Sequence, residues 1–485
     1  MAKPYSELGK RSRKISSIAS LCSAKLFILL AVFAILFVVL LHIQIIASTF
    51  DFTHQWRKAL FTGNCTNGDQ ELEYSSVASK LQESVTFLPL KDLRYSSKPL
   101  QGHTWFMSSM QDTHEEGQVK YQEYPSKASK GRVLCIKGND THDGSWNSYA
   151  LAWPHALPRN ATLMKGITFV SYNHYNYDNI WHGLSAVVPF VAWRLRNNNN
   201  CSSSSPARWV LYHWGELRTT MGPWLSSLMA AAFGEPLNIE KFDGRVSSPA
   251  AAVCFERAVV MRHNEGGMSR ERRLEVYDFL RCKARIFCHV SMERRRRDDE
   301  IGMTMLMRNG ARSFKNQTAV AGIFREACRK VEGCRLTVAY AGELDFCGQV
   351  KLMKSTDVLV SPHGAQLTNM FLMDRNSTVM EFFPKGWLKL AGVGQYVYHW
   401  IASWSGMNHG GAWRDDTGGD GDGDVVCPFD ENDRRCMSVY KNARIGYDER
   451  YFSEWAEKVA RGVKLRKAEE QMLEKKTTTS SSCGC

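Results

Sequence analysis

Hydrophobic and polar positions follow two regimes along the chain. From Leu26 to Ala47 no charge interrupts the apolar text, and from Leu26 to Leu41 no polar residue does either. Beyond about residue 100, apolar residues gather into short runs separated by longer amphipathic stretches. "GRVLCIKG" (131–138), "GITFVSY" (166–172) and "ARWVLYHW" (207–214) read as buried strands, the last after the low-complexity linker "NNNNCSSSSP". "PWLSSLMAAAF" (223–233) predicts an apolar helix, and "EGGMSRERRLEVYDFLRCKARIF" (265–287) a charged connecting helix. The second half alternates more regularly: strand 303–308, helix 318–332, strand 334–340, helix near 346–355, strand 357–361, helix from about 365, strand 377–383. Such alternation builds a parallel sheet covered by helices on both faces. Occurring twice, it predicts an α/β chain of two Rossmann-like lobes around a cleft, with ligands held beyond the carboxyl ends of strands. The lobes are expected over 101–295 and 296–448, followed by a long amphipathic helix and a Thr/Ser tail over 449–485.

The run Leu26–Ala47 is long enough to cross a hydrocarbon layer of about 30 Å as a helix. Lys3, Lys10, Arg11, Arg13, Lys14 and Lys25 precede it against Glu7 alone, while Asp51, Arg57 and Lys58 roughly balance after it. The positive-inside rule therefore predicts a cytosolic tail over 1–25, a transmembrane signal-anchor over 26–47 and a luminal stem over 48–100. Cleavage after Ala47 is the lesser alternative. Acceptor triplets for N-glycosylation at Asn64, Asn139, Asn160, Asn200, Asn316 and Asn376 all lie on the luminal side. So do all of the 14 cysteines except Cys22, where an oxidising compartment lets them pair. Cys328 with Cys334, and Cys427 with Cys436, are spaced as local bridges; the other pairings stay open. The chain has no Cys-x-x-Cys pair, against a zinc ribbon or thioredoxin-like site. With 44% apolar and 23% charged residues the chain is globular rather than disordered. The net charge of +13 is partly the basic tail, and the run "MERRRRDDE" reads as a solvated face, so no nucleic-acid partner is expected.

Four places in the second half fall at strand ends facing the one expected cleft. Arg308 ends a strand and Arg312 follows in "RNGARSF"; the turn Ser361-Pro362-His363-Gly364 ends another; Glu381 lies near the end of a third. A diphosphate calls for cationic donors and free helix amides, and a ribose calls for a carboxylate. These residues supply that set without a metal.

The text "DVLVSPHGAQLTNMFLM" followed by "VMEFFP" resembles glycosyltransferase family 61, whose hallmark is Asp-x-Leu-Val before His-Gly-Ala-x-Leu-Thr-Asn. "LMRNGARSF" is similar to the family's paired-arginine segment, Gln349 sits where the family has a Gln-Ile helix, and the likeness spans roughly 165–400. The resemblance implies a type II Golgi enzyme of GT-B fold, and "GVGQYVYHWIASWSGMNHGGAWRD" looks like the plant branch of xylosyl- and arabinosyltransferases. It implies a nucleotide-sugar site at Arg308, Arg312, His363, Gly364, Asn369 and Glu381. "DNIWHGLSA" resembles an N-lobe motif and places Asn179 and His182 on the acceptor side. Related enzymes carry Asp four residues after that histidine, where this chain has Ala186. His182, Asp178 and Glu216 are the candidate bases, His182 first because imidazole titrates near working pH.

The expected reaction is an inverting transfer of a pentose, xylose first, from a UDP-sugar to a glycan or cell-wall polysaccharide, with no cofactor or metal required. UDP-arabinose and UDP-N-acetylglucosamine are the alternative donors. Two rivals stand beside it. A metal-dependent transferase would use "DGDGD" (420–424), which has no strand before it; a catalytically inactive luminal carbohydrate-binding or scaffold protein is favoured by Ala186. Nothing in the sequence fixes the oligomeric state.

Overall fold

The computed structural model describes residues 76–89, 115–138, 147–172, 178–197, 205–213, 216–218, 222–234, 238–239, 251–262, 267–292, 300–385, 387, 392–415, 427–429 and 433–474. The expected tail and anchor, most of the stem, Asn64, Asn139, Asn200 and the loop 420–424 lie outside the described residues. No described helix is long and apolar enough to cross a membrane.

The first half forms β1 (Leu88–Pro89), β2 (Gln122–Tyr124), β3 (Val133–Lys137), β4 (Ser148–Ala152), β5 (Thr162–Tyr172), α1 (Ile180–Asn197), β6 (Arg208–His213), β7 (Glu216–Arg218), α2 (Pro223–Phe233), β8 (Asn238–Ile239), β9 (Ala252–Arg262) and α3 (Arg270–Phe287). Its strands make one sheet in the order β1-β4-β3-β9-β5-β6-β7, with β2 also on β9 and β8 also on β6. This sheet is mixed, a correction to the expected parallel one. β9, β5, β6 and β8 run parallel, whereas β1, β2, β3, β4 and β7 join antiparallel. The connection 138–147 between β3 and β4 is shorter than the roughly dozen residues a parallel crossover needs. The sequence pattern also misses β9, because Glu256 and Arg257 break its apolar run. They sit where the β5–β9 register shifts, and Glu256 there accepts from the Gly166 amide at 2.8 Å.

The second half continues with β10 (Ile301–Met307), α4 (Gln317–Arg329), β11 (Cys334–Tyr340), α5 (Phe346–Lys354), β12 (Val358–Pro362), a 3-10 helix (Ala365–Leu372), β13 (Thr378–Phe383), α6 (Val397–Ser405), β14 (Asn408–Arg414), α7 (Met437–Asn442) and α8 (Glu449–Glu474). All five strands pair parallel, in the order β11-β10-β12-β13-β14. The expected helix from about 365 is a 3-10 helix rather than an α-helix.

Side-chain alternation divides the cores. Met303, Met305, Val358, Val360, Met380 and Phe382 face one way, onto α4 and Phe452, Ala456 and Ala460 of α8. Leu306, Leu359 and Val379 face the other way, into a core shared with α1, α2, α3, the 3-10 helix and Phe169, Trp209 and Val259 of the first sheet. A helical layer thus lies between the two sheets and belongs to both. Disulfides Cys328–Cys334 and Cys427–Cys436 form as their spacing predicts. Cys135–Cys254 joins neighbours β3 and β9, and Cys288–Cys347 ties the end of α3 to α5.

Candidate active site

In the second sheet β10 is flanked by β11 on one side and β12 on the other. This is the flavodoxin-type order 2-1-3-4-5, whose switch point opens a crevice beyond the carboxyl ends of its first and third strands. Arg308 directly follows β10, and His363 directly follows β12. Sequence-remote residues converge here because the chain reverses direction around β10.

The turn after β12 is closed from within. Ser361 Oγ donates to the Leu306 carbonyl at 2.9 Å, and Gln366 Nε2 donates to the Pro362 carbonyl at 2.8 Å. Arg308 Nη1 donates to the His363 carbonyl at 3.2 Å. Gly364 is demanded by that approach: a Cβ there would run into the Arg308 guanidinium and the Gln366 side chain. The glycine of the His-Gly pair is therefore explained by an arginine fifty-six positions earlier (364 − 308 = 56).

Arg312 is held in the left-handed region, φ 59°, uncommon for a side-chain-bearing residue. Its amide donates to the Ala443 carbonyl at 3.0 Å, and Ser313 and Lys315 bond to Ile445, so the segment before α8 pins the arginine loop. The Arg312 guanidinium lies over Trp387, 5.1 Å from the ring centroid. Burial lowers the pKa of Arg308, and burial with the neighbouring Arg308 charge brings Arg312 down to about 10. Neither has a carboxylate partner among the described residues. Arg308 Nε, Arg312 Nε and Trp387 Nε1 are all buried without a hydrogen-bond acceptor among those residues. Buried donors of this kind are costly to leave unmade, and an anion would satisfy them.

His363 is buried, its ring against Phe383 at 4.8 Å, Tyr398 at 5.1 Å and Trp387 at 5.3 Å. Its Nδ1 meets Glu381 Oε1 at 2.5 Å, and Glu381 Oε2 meets His409 Nε2 at 3.1 Å. The alternation along β13 sends Glu381 to the interior beside Val379, so its charge needs these partners. Burial pushes the Glu381 carboxyl up, but the hydrogen bonds and charge of the two histidines outweigh it and hold the pKa below the ordinary glutamate value. Burial, then the Glu381 charge, pushes the Tyr398 hydroxyl up, so it stays protonated. With one oxygen on each histidine and 1% exposure, Glu381 is placed to orient His363.

Two other expected site residues are hydrogen-bonded within the fold. Asn369 is fully buried; its Oδ1 accepts from Trp224 Nε1 at 3.0 Å and its Nδ2 donates to the Gln366 carbonyl at 3.1 Å. It therefore locks α2 to the turn that carries His363. Asn179 caps α1: its Oδ1 accepts from the Trp181 amide at 3.1 Å, and its carbonyl takes the first helical bond from Gly183. His182 stands half-buried in the first turn of α1, which packs on the 3-10 helix after His363; Asp178 is exposed just before it. Ala186, one turn on, is buried in the shared core. Glu216 lies on edge strand β7 opposite His213. Gln349 is buried on α5 and donates to the Ala341 and Leu344 carbonyls, shaping the turn after β11. Asn160, Asn316 and Asn376 are exposed; Asn316 Oδ1 caps α4 and Asn376 Nδ2 donates to Glu470 at 2.7 Å.

The sequence reading missed Trp387, Tyr398 and His409. Trp387 and Tyr398 follow β13 in an aromatic-rich stretch, and His409 precedes a Gly-Gly pair at the start of β14, which is the one local sign of it. Compared with known families, residues 159–380 match the model described as Glycosyltransferase 61. No curated protein matches the chain.

Proposed function

We infer, for a chain whose residues 159–380 place it in glycosyltransferase family 61 and make it a glycosyltransferase with a sugar donor and an acceptor, that the donor is a UDP-sugar held at the β10/β12 switch point. One observation carries this reading: Arg308 and Arg312 meet there as half-buried cations, their Nε atoms buried, with no carboxylate partner among the described residues, beside His363. A diphosphate would supply the missing charge and acceptors. In the same reading the two sheets are the lobes of a GT-B arrangement, with the nucleotide on the second lobe and the acceptor on the α1 side. The arginines supply the positive charge on the leaving diphosphate, so no divalent metal is required.

The reaction is an inverting displacement. A base takes the proton of an acceptor hydroxyl, the hydroxyl oxygen forms its bond to the anomeric carbon, and the bond from that carbon to the diphosphate oxygen breaks on the opposite side. UDP leaves with the electron pair. Donors fixed before the reaction, Arg308, Arg312 and His363, stabilise that developing charge, usually the largest single catalytic contribution. His182, at the start of α1, is the preferred base, worth roughly 10² to 10⁴ in rate; Asp178 and Glu216 are the alternatives. The donor sugar is a pentose, xylose before arabinose, and the acceptor a glycan or cell-wall polysaccharide, on the plant-like text of 392–415. The chain works as a single-pass type II protein of the Golgi membrane with its catalytic part in the lumen, and the exposed Asn160, Asn316 and Asn376 carry glycans there.

A second reading keeps the site and removes the chemistry. Ala186 is buried in the core where related enzymes carry an acid, which favours a carbohydrate-binding protein that has lost turnover. The test is UDP release by the full-length protein from a panel of UDP-sugars, with and without chelator, beside His363→Ala. Chelator-resistant release from one donor, abolished by the substitution, identifies the sugar. UDP binding without release from any donor, acceptor glycans present, would favour the second reading.

A further inference from the structure

Glu381 gives its two oxygens to two different histidines, and β14 is deformed to bring the second one in. Val379 pairs with His409, but Met380 pairs with Gly411, so Gly410 is an extra residue in β14. A bulge of this kind bends a strand and re-aims its side chains. Both glycines are needed: a Cβ on Gly410 would meet the Thr378 side chain and the Val379 carbonyl, and one on Gly411, at φ 129°, would meet Trp455. The result is a run His363–Glu381–His409, with the His399 ring 5.0 Å from that of His409. Glu381 is 1% exposed and His363 5% exposed, while His399 is exposed, so the run passes from the buried site to the surface.

We propose that His409 is a positioning residue of the nucleotide site: through the shared Glu381 carboxylate it fixes the orientation of the His363 ring and which of its nitrogens carries the proton. The proposal rests on the switch-point reading above. Glu381 is ionised and can only accept, so His363 presents Nδ1–H to it and keeps Nε2 for the ligand. Nε2 accepts when the ring is neutral and donates, with a full positive charge, once the ring is protonated. Glu381 from β13 and Tyr398 from α6 face the His363 ring, Arg308 from the β10 end bonds its carbonyl, and Arg312 lies over Trp387; His409 acts through Glu381, with His399 behind it. His409 draws on the same carboxylate, so its hydrogen bond shares in fixing where Glu381 holds the His363 ring.

The test is UDP affinity of the full-length protein by calorimetry between about pH 5 and 8. The readout is the ratio of variant to wild-type affinity at each pH, because UDP's own terminal phosphate ionises over this range. His409→Gln keeps a donor toward Glu381 but cannot carry a proton, so the ratio is expected to change across the range. Glu381→Gln removes the acceptor that holds the His363 ring and is expected to lower affinity roughly tenfold. Should either variant fail to fold, ring-nitrogen shifts of wild-type His363 and His409 decide, since coupled rings share their titration steps. A His409→Gln profile superimposed on wild type, or rings that titrate independently, would overturn the proposal. No UDP affinity in the wild type at any pH would instead sink the switch-point reading, and this inference with it.

Discussion

Two pairs of arginines lie toward opposite ends of the same 3-10 helix, and they are built on opposite principles. Arg281 and Arg285, on α3, grip its carboxyl end. Arg281 donates to the Phe371 carbonyl at 2.8 Å and the Ser405 carbonyl at 2.6 Å, and pairs with Asp278. Arg285 donates to the Leu372 carbonyl at 2.9 Å and pairs with Asp374 at 2.7 Å. Burial and the adjacent Arg285 charge bring Arg281 down to about 9, while Asp374 opposes the shift. Arg308 and Arg312, at the amino end, have one carbonyl and one aromatic face between their guanidinium groups. A carboxylate near each guanidinium makes a clamp. Half-buried guanidinium groups with no carboxylate among the described residues fit the proposed anion site.

The contrast breaks most sharply at the clamp. Arg281→Ala would leave two carbonyls and part of Asp278's charge without partners, so unfolding free energy should drop by about 3–5 kcal/mol. Chemical denaturation would show it, and a loss below about 1 kcal/mol would mean that the clamp is dispensable.

Next in size is the buried carboxylate beside the anion site. Replacing Glu381 by Gln removes a charged acceptor from two histidines, a loss of roughly 3 kcal/mol at neutral pH. The folded-state pKa of Glu381 is lowered, so its contribution is complete above the ordinary value of 4.5 and vanishes as pH falls through the folded value. Melting temperatures of wild type and variant should therefore differ at neutral pH and converge in acid. A difference that is constant, or that widens in acid, has the wrong sign.

Gly364→Ala sharpens the comparison from the ligand's side. The added methyl displaces the Arg308 guanidinium while leaving the clamp intact. UDP affinity should fall by roughly tenfold or more, about 1.5–3 kcal/mol for a charged hydrogen bond, with little change in melting temperature. The smallest effect is expected at Asn179, where loss of the α1 cap costs about 1 kcal/mol of stability. His182 remains in place in that variant, so transfer measured well below the melting temperature should hardly change.

How far the sequence reveals this arrangement depends on how local the cause is. Short apolar runs gave β11 and α2 to the residue and β3, β6 and β12 within one or two, because the apolar run that marks an element lies within the element itself. The bridges Cys328–Cys334 and Cys427–Cys436 were legible for the same reason. The antiparallel strands and Cys135–Cys254 were not, since pairing partners are chosen across the fold. At the site, the turn Ser361-Pro362-His363-Gly364 announces itself, but what satisfies each side chain does not. That Glu381 is shared between His363 and His409 is not written in its strand. Nor is the bond of Asn369 to Trp224, which comes from another element. In each case the deciding partner lies far off in sequence.

The most direct test of the central claim is UDP titration into wild-type protein and the double variant Arg308→Ala/Arg312→Ala, with thermal unfolding of both in the absence of UDP. Two cations with no carboxylate partner among the described residues should be removable without harm to the fold. The variant is expected to melt at or above the wild-type temperature while its UDP affinity falls by about 100-fold or more. A variant that binds UDP as wild type does, or that is destabilised as heavily as Arg281→Ala, would contradict the claim and make this pair a second structural clamp.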